Sequence, residues 1–185
     1  MGTIGKYDPA SIRYGDYDPD SPLVFKELKG VILSALPQAL LEHVGSSAVA
    51  GLSGKNAIDI ALSVKDRELQ GTLSKLAALG FQMSGLSETH SPLLFGSIVF
   101  KAKYYGVHVY VRGRDSNAYR LWVFFRDYLK KHPAEARKYE GVKRESAERT
   151  AEYEAAKRRY INSVIRKAPR EVKKKSPEPE AQFVR

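Results

Sequence analysis

Residues 42–60 read EHVGSSAVAGLSGKNAIDI, and this stretch decides how the rest of the chain is interpreted. A short apolar run ends in Gly-Ser, a segment of small residues follows, and a second apolar run opens around Asp59. Glycine has no Cβ, so the backbone at Gly45 can approach a ligand closely. A helix beginning there would direct free N–H groups at a phosphate. We therefore expect phosphate contacts from four residues of this stretch: Gly45, Ser46, Ser47 and Lys55.

The composition indicates one globular domain without disulfide or thiolate chemistry. The chain has 185 residues, of which 43% are hydrophobic, and it contains no cysteine. Disulfides, thiolate zinc sites and a cysteine nucleophile are therefore excluded. The sequence contains no apolar run of the roughly 18 residues that a membrane-spanning helix needs, and its first residues lack the apolar core of a secretory signal. We expect a cytoplasmic protein that does not interact with membranes.

Charge is distributed unevenly along the chain. Residues 1–100 carry 8 Lys/Arg and 10 Asp/Glu, whereas residues 101–185 carry 23 Lys/Arg and 11 Asp/Glu. The net charge of +10 therefore arises in the C-terminal half. Such a basic field can attract nucleotides or nucleic acid, which makes nucleic acid a second candidate partner. A solvated helix face followed by a basic tail explains the same charges without a ligand.

Hydrophobic periodicity predicts an α+β fold in which helices flank a mixed β-sheet. Helices are expected over 21–36, 66–79, 116–131 and 133–166. Strands are expected over 39–45, 57–64, 81–83, 96–103 and 106–112, with a loop over 84–94 and a strand connection at 104–106. We divide the chain into a flexible N-terminal arm (1–16), a domain (17–166) with a helical C-terminal portion, and a disordered basic tail (167–185).

Two of the expected strands alternate between apolar and polar residues, which places polar side chains on one sheet face. In 57–64, Ile58 and its alternate neighbours face one way, and Asp59 faces the other. In 106–112, three valines face the core, and the opposite side carries His108, Tyr110 and Arg112. Asp59 is costly to bury unpaired, so it is either a site residue or the partner of Lys55 or His43.

The residues quoted above, with several later segments, resemble the GrpB family. The resemblance covers residues 17–162 and rests on Tyr17-Asp18-Pro19, the stretch 42–60, His108-Val109, the segment 125–129 and His132-Pro133. It implies a nucleotidyltransferase fold of the DNA polymerase β type. It also implies a phosphate site at Gly45-Ser46 and metal binding at Asp59.

The chain departs from the acidic pattern of that superfamily. Ala61 stands where a second acid is expected, and a later strand offers His108 where a third acid is usual. Asp59 and His108 are therefore the candidate catalytic and metal-binding residues, and together they could hold one Mg²⁺ or Mn²⁺, although imidazole is a poor Mg²⁺ ligand. The missing acid could come from Glu42, from Glu88 or from neither.

The sequence leaves two functions open. In the first, the chain binds a nucleotide or another phosphorylated small molecule, with or without metal-dependent nucleotidyl transfer. Further ligand contacts would then come from Tyr110, Arg112, Arg126 and Lys143, although surface charge also explains Arg126 and Lys143. In the second, the chain is a catalytically inactive module that binds nucleic acid or another protein through its basic C-terminal half.

Overall fold

A computed structural model describes residues 3–83, 92–114, 116–144 and 151–173, apart from the side chains of 151–154. The strands are β1 (Tyr14–Gly15), β2 (Leu40–Val44), β3 (Gly54–Lys55), β4 (Ala57–Val64), β5 (Gln82–Met83), β6 (Leu93–Phe100) and β7 (Lys103–Gly113). The helices are α1 (Ser21–Ala35), α2 (Leu69–Ala78), α3 (Asn117–Lys131), α4 (Pro133–Arg144), α5 (Ala151–Ile165) and α6 (Arg170–Lys173).

Five strands form the central sheet in the order β2-β4-β7-β6-β5, and β1 pairs separately with β3. The β4–β7 pair is parallel, and the other neighbours in the sheet are antiparallel. The predicted fold class, α+β with a mixed sheet flanked by helices and a helical C-terminal portion, is confirmed. Within the described residues, no helix is both long and apolar enough to cross a membrane.

The main core lies on one face of this sheet, where α1 and α2 pack. The alternation predicted for β4 is confirmed, because Ile58, Ile60 and Leu62 are fully buried there. Val24, Leu28 and Ile32 of α1 cover them, at the helical spacing that an amphipathic surface helix requires. A second apolar cluster joins α3, α4 and α5 beside the opposite face: Phe125, Leu129, Tyr139, Ile161 and Val164.

The prediction of one helix over 133–166 is wrong. The segment contains two helices, α4 and α5, which lie against each other, with 145–150 outside the described residues. The rings of Tyr139 and Tyr160 stack with their centroids 5.4 Å apart. In a continuous helix, with a rise of 1.5 Å per residue, the same two residues would lie about 30 Å apart. The apolar stripe thus holds two helices together.

The strand connection predicted at 104–106 is also wrong. These residues lie inside β7, and the hairpin turns at Lys101 and Ala102, whose φ angles are 47° and 62°. Positive φ is unusual for residues other than glycine. This turn contains neither the glycine nor the asparagine that usually marks a two-residue hairpin turn, so the sequence does not signal it. The loop expected over 84–94 ends earlier, because β6 begins at Leu93, and residues 84–91 lie outside the described part.

The segment predicted to be a flexible arm is held against the domain at several points. Ile4 is buried in the main core, and the backbones of Gly5 and Ser97 exchange two hydrogen bonds of 2.8 and 3.0 Å. The arm then continues to β1, which pairs with β3. At the other end Ala168 is buried and α6 follows, whereas residues 174–185 lie outside the described part, so the disordered tail stays a prediction.

Candidate functional site

Asp59 is the centre of the polar sheet face. It lies on β4 opposite His108 of β7, and the two residues share one face because they are Cα partners in the parallel ladder. Asp59 Oδ1 accepts a hydrogen bond from His108 Nδ1 at 2.9 Å and one from the Tyr110 hydroxyl at 3.4 Å. The structure thus brings together three of the residues predicted from strand alternation.

The Asp59 carboxyl group is ionised at neutral pH. Burial raises its pKa, but the hydrogen bond and charge of His108 and the charge of Lys157 outweigh burial, so the pKa of Asp59 is lowered. The Tyr110 hydroxyl responds in the opposite sense, since burial and the Asp59 charge raise its pKa well above 10.0. Tyr110 therefore stays protonated and serves as a donor to Asp59.

When the His108 ring is neutral, the ionised Asp59 also fixes its tautomer. An ionised carboxylate only accepts hydrogen bonds, so Nδ1 of His108 carries the proton that it shares with Asp59. The other ring nitrogen, Nε2, is then an acceptor, and the hydroxyl of Tyr7 lies 3.2 Å from it. Tyr7 comes from the N-terminal arm, and its ring stacks on Phe95 at 4.9 Å. The result is a chain of hydrogen bonds from Tyr7 through His108 to Asp59.

Gly45 brings the backbone directly against the Asp59 carboxylate. A Cβ added at Gly45 would lie 2.1 Å from Asp59 Oδ2. The backbone there has φ 73° and ψ −170°, a region essentially restricted to glycine. The element that begins after Gly45 is a three-residue 3-10 turn, Ser46–Ala48, and not an α-helix. The predicted phosphate contact therefore depends on this turn and on side chains rather than on a helix N-terminus.

Lys143 of α4 reaches the same turn from the helical portion. Its side chain is buried, and Nζ donates a hydrogen bond to the carbonyl oxygen of Ser53. A Cβ added at Gly54 would lie 2.3 Å from Ser46 Oγ and 3.6 Å from Lys143 Nζ, so these groups converge. Burial lowers the pKa of Lys143 to about 8. Lys143, a predicted ligand residue, therefore lies beside the turn, and its contact with a ligand stays a prediction.

Two residues of the site were missed by sequence reasoning. Lys157 of α5 is half-buried, and its charge lowers the pKa of both Asp59 and Lys143. Tyr7 was assigned to a flexible arm and received no role. A signal for Lys157 existed in the basic character of residues 101–185, whereas no feature of the local sequence marked Tyr7.

Several predicted ligand residues have structural partners instead. Ser47 Oγ lies 3.0 Å from His43 Nε2, and His43 stacks on Phe25 of α1 at 4.8 Å. His43 therefore faces the main core and not Asp59, and burial lowers the pKa of His43 to about 4. Ser47 is buried with it.

The remaining basic candidates are spread over other parts of the molecule. Arg126 Nη1 donates to the Glu42 carboxylate at 2.5 Å and to the His43 carbonyl oxygen at 2.9 Å. The guanidinium of Arg112 is buried and lies 4.8 Å from the centre of the Trp122 ring. Lys55 is exposed on β3, where it is the Cα partner of Tyr14. Phosphate binding by these three residues stays a prediction.

The described residues do not fit a divalent metal ion. Both ring nitrogens of His108 are hydrogen-bonded, to Asp59 and to Tyr7, and Ala61 is fully buried where a second acid would stand. Glu42 pairs with Arg126, and Glu88 lies outside the described part. Within that part, no group of three or more His, Cys, Asp or Glu side chains could hold a metal. Mg²⁺ or Mn²⁺ binding therefore stays a prediction that this geometry does not support.

Comparison with known proteins gives a consistent assignment. The family model described as GrpB protein matches residues 11–167. A UPF0157 protein of Deinococcus radiodurans is 34% identical over 137 residues, which cover 72% of this chain and 70% of that protein. A UPF0157 protein of Halalkalibacterium halodurans is 30% identical over 175 residues, covering 90% and 88%.

Among solved structures, the conserved protein GrpB from Enterococcus faecalis superposes with a TM-score of 0.69 at 22% identity. The alignment covers 84% of this chain and 98% of that chain. An RNA terminal uridylyl transferase aligns with 75% of this chain and 40% of its own, at 17% identity and a TM-score of 0.46.

Proposed function

Because this chain belongs to the GrpB family and has a nucleotidyltransferase-like fold, we propose that it binds a nucleotide or a related phosphorylated small molecule at the Asp59 face. The phosphate would lie between the Gly45-Ser46 turn and Lys143. The observation that carries the proposal is the buried ammonium group of Lys143 beside Ser46 and Gly54.

A buried ammonium is expensive unless it is compensated. Removing a charged group from water into a protein interior costs on the order of several kcal/mol, even after the surrounding protein has relaxed. The depressed pKa of Lys143, about 8, expresses that cost. Glu140 and Asp59 partly offset it, but the charge of Lys157 adds to it. A phosphate between the two lysines would supply the missing negative charge, and Ser46 could donate a hydrogen bond to the same anion.

The charge asymmetry supports a second candidate, binding of nucleic acid through the C-terminal half. Residues 101–185 carry 23 Lys/Arg against 11 Asp/Glu, and Arg158 and Arg159 of α5 are exposed. A surface that tracks a phosphate backbone loses affinity steeply with added salt. A nucleotide pocket would instead depend on Lys143, so salt dependence and the Lys143 variant separate the two functions.

Thermal unfolding with added ligand tests the proposal. The full chain is heated with each of the four nucleoside triphosphates at millimolar concentration, with and without Mg²⁺. A ligand that binds only the folded state stabilises it by about 2.7 kcal/mol at one hundred times its Kd. We expect a rise in Tm that is lost in Lys143→Met, which keeps an unbranched stem and removes the charge.

Lys75→Met is the matched control, because Lys75 is exposed on α2, which packs on the opposite sheet face. It should leave the ligand-induced rise in Tm unchanged. Isothermal titration calorimetry on the same variants separates lost binding from a lower starting Tm. If no nucleotide raises the Tm of the unmodified chain or releases heat, the proposal is wrong.

A further inference from the structure

We propose that Tyr7 is a nucleophile, and that His108 acts as the general base that transfers a nucleotidyl group from a bound nucleoside triphosphate to the Tyr7 hydroxyl. Asp59 is a positioning residue that orients His108. This inference rests on the proposed nucleotide site. It assigns a modification site to the arm, and it gives Asp59 and His108 a role other than metal binding.

The hydrogen bonds have the arrangement of an activated nucleophile. Such a site has a hydroxyl within reach of a base, about 2.6–3.2 Å, and a third group that orients the base. Here the Tyr7 hydroxyl lies 3.2 Å from His108 Nε2, and His108 Nδ1 lies 2.9 Å from Asp59 Oδ1. The tautomer set by Asp59 leaves Nε2 as the acceptor, as the proton transfer requires. Tyrosine is one of the side chains that form covalent intermediates in enzymes.

The arm holds Tyr7 in place from both sides. Two residues before it, Gly5 is paired with Ser97, and immediately after it the Asp8 N–H donates to the Tyr104 hydroxyl at 2.7 Å. The ring is stacked on Phe95 and meets the His108 ring edge-on at 5.5 Å. A reactant held in this way has already lost much of the freedom that a bimolecular reaction must remove.

The nucleophile and the proposed phosphate site meet at the Asp59 carboxylate. One oxygen, Oδ1, accepts from His108, and the other, Oδ2, lies against the Gly45 backbone that begins the turn to Ser46. The Tyr110 hydroxyl donates to the same Oδ1 at 3.4 Å, and Tyr7 reaches this group of side chains through His108.

The reaction balances without a further reactant. The Tyr7 oxygen attacks the α-phosphorus of the triphosphate and forms an oxygen–phosphorus bond, while the bond from the α-phosphorus to the β-bridging oxygen breaks. Pyrophosphate leaves with the bonding electrons, and the phenol proton moves to His108 Nε2. The ionised Asp59 stabilises the resulting imidazolium, as the carboxylate does in catalytic triads. The products are a phosphodiester on Tyr7, pyrophosphate and one proton.

Intact-mass spectrometry of the full chain tests this step. The chain is incubated with each of the four nucleoside triphosphates and Mg²⁺, and the modified residue is located by peptide mapping. We expect the mass of one nucleoside monophosphate, less water, on Tyr7, and no adduct in Tyr7→Phe. Tyr14→Phe is the control, since Tyr14 is an exposed tyrosine of the same arm. An adduct that persists in Tyr7→Phe, or one of phosphate alone, overturns the proposal.

His108→Asn separates the base from the fold, because the asparagine amide can still donate to Asp59 but cannot accept the phenol proton at Nε2. Loss of a general base should slow adduct formation about 100-fold or more. Asp59→Asn should remove the single Nδ1–H tautomer of His108, which nitrogen NMR of the ring reports. An unchanged rate in His108→Asn, or an unchanged tautomer in Asp59→Asn, contradicts the assigned roles.

Failure of this inference is distinguishable from failure of the proposed function. Nucleotide binding is measured on the unmodified chain and on Tyr7→Phe by the rise in Tm. A rise in Tm without any adduct overturns the nucleophilic role alone and leaves nucleotide binding in place. The absence of both overturns the two proposals together.

Discussion

At the scale of single residues, Gly45 is the position where the geometry leaves least freedom. Its backbone conformation is essentially restricted to glycine, and the Asp59 carboxylate occupies the place of a Cβ. Gly51 also has a positive φ, 78°, but a Cβ there would meet nothing within 4 Å. Substitution of Gly51 therefore tests backbone strain alone, whereas substitution of Gly45 tests strain together with the close approach to Asp59.

We predict that Gly45→Ala lowers the free energy of unfolding by about 1–3 kcal/mol more than Gly51→Ala does. The strain of a positive φ costs about 1–2 kcal/mol in both variants, and the displaced Asp59 adds an overpacking cost of about 1–3 kcal/mol in the first. Urea unfolding of the two variants measures the difference. Equal costs would mean that the Asp59 carboxylate can move away freely.

Buried His43 should make the fold sensitive to acid. The pKa of His43 is about 4 in the folded chain against an ordinary 6.5, because burial disfavours the charged ring. The unfolded chain therefore binds more protons between these values, so stability falls as the pH drops from about 6.5 to about 4.

Comparison with His43→Phe isolates this effect. When the pH falls from 7 to 4.5, we expect the unmodified chain to lose about 2 kcal/mol more unfolding free energy than His43→Phe loses. The same comparison with His132→Phe, an exposed histidine, is the control. An identical pH dependence in the unmodified chain and His43→Phe would contradict the burial argument.

The residues of the site differ in how far the sequence predicted them. Asp59, His108 and Tyr110 follow from strand alternation, a local pattern that the sheet preserves. Tyr7 is separated from His108 by 101 positions, and no periodicity links an arm to a strand at that distance. Ser47, in turn, matched the expected motif but packs on His43. Local patterns predicted which residues share the sheet face, whereas the residues that pack against that face depend on tertiary contacts.

At the scale of elements, most helices and strands follow from periodicity, and the errors lie where a connection has no sequence signal. The 133–166 segment has an apolar stripe that fits one long helix or two packed helices equally well. The stacking of Tyr139 on Tyr160 shows that the second arrangement is adopted. No residue between α4 and the described start of α5 is a typical helix breaker, so the sequence did not predict the break. The Lys101-Ala102 turn is a similar case, because neither residue is a usual turn former.

We predict that Ala102→Gly stabilises the β6–β7 hairpin. Ala102 has a φ of 62°, and relief of that strain exceeds the extra entropy that glycine loses on folding, for a net gain of about 0.5–1 kcal/mol. Thermal unfolding of the variant measures the gain. Ala77→Gly, at an exposed position of α2, should instead lose up to about 1 kcal/mol. A loss of stability in Ala102→Gly would show that the turn is not strained.

At the scale of the whole molecule, the N-terminal arm closes the polar face that the helical portion borders on another side. Ile4 anchors it in the main core, and Tyr7 reaches His108. We predict that Ile4→Ala costs about 2–4 kcal/mol of unfolding free energy, as for other buried isoleucines. A flexible arm would lose nothing.

Thr3→Ala, an exposed neighbour, is the control and should stay within about 0.5 kcal/mol of the unmodified chain. Equilibrium urea unfolding of both variants gives the comparison. If Ile4→Ala is as stable as Thr3→Ala, the arm does not contribute to the core.

The pairing of the arm with β6 has a consequence for how the protein is made. The side chain of Ser97 donates to the carbonyl oxygen of Lys6, and 91 positions separate the two residues. At translation rates of about 5–20 residues per second, the arm leaves the ribosome on the order of 5–20 seconds before its partner strand is synthesised. During that interval Ile4 and Tyr7 are exposed to chaperones and to other nascent chains. The arm is therefore translated well before it can reach its native contacts.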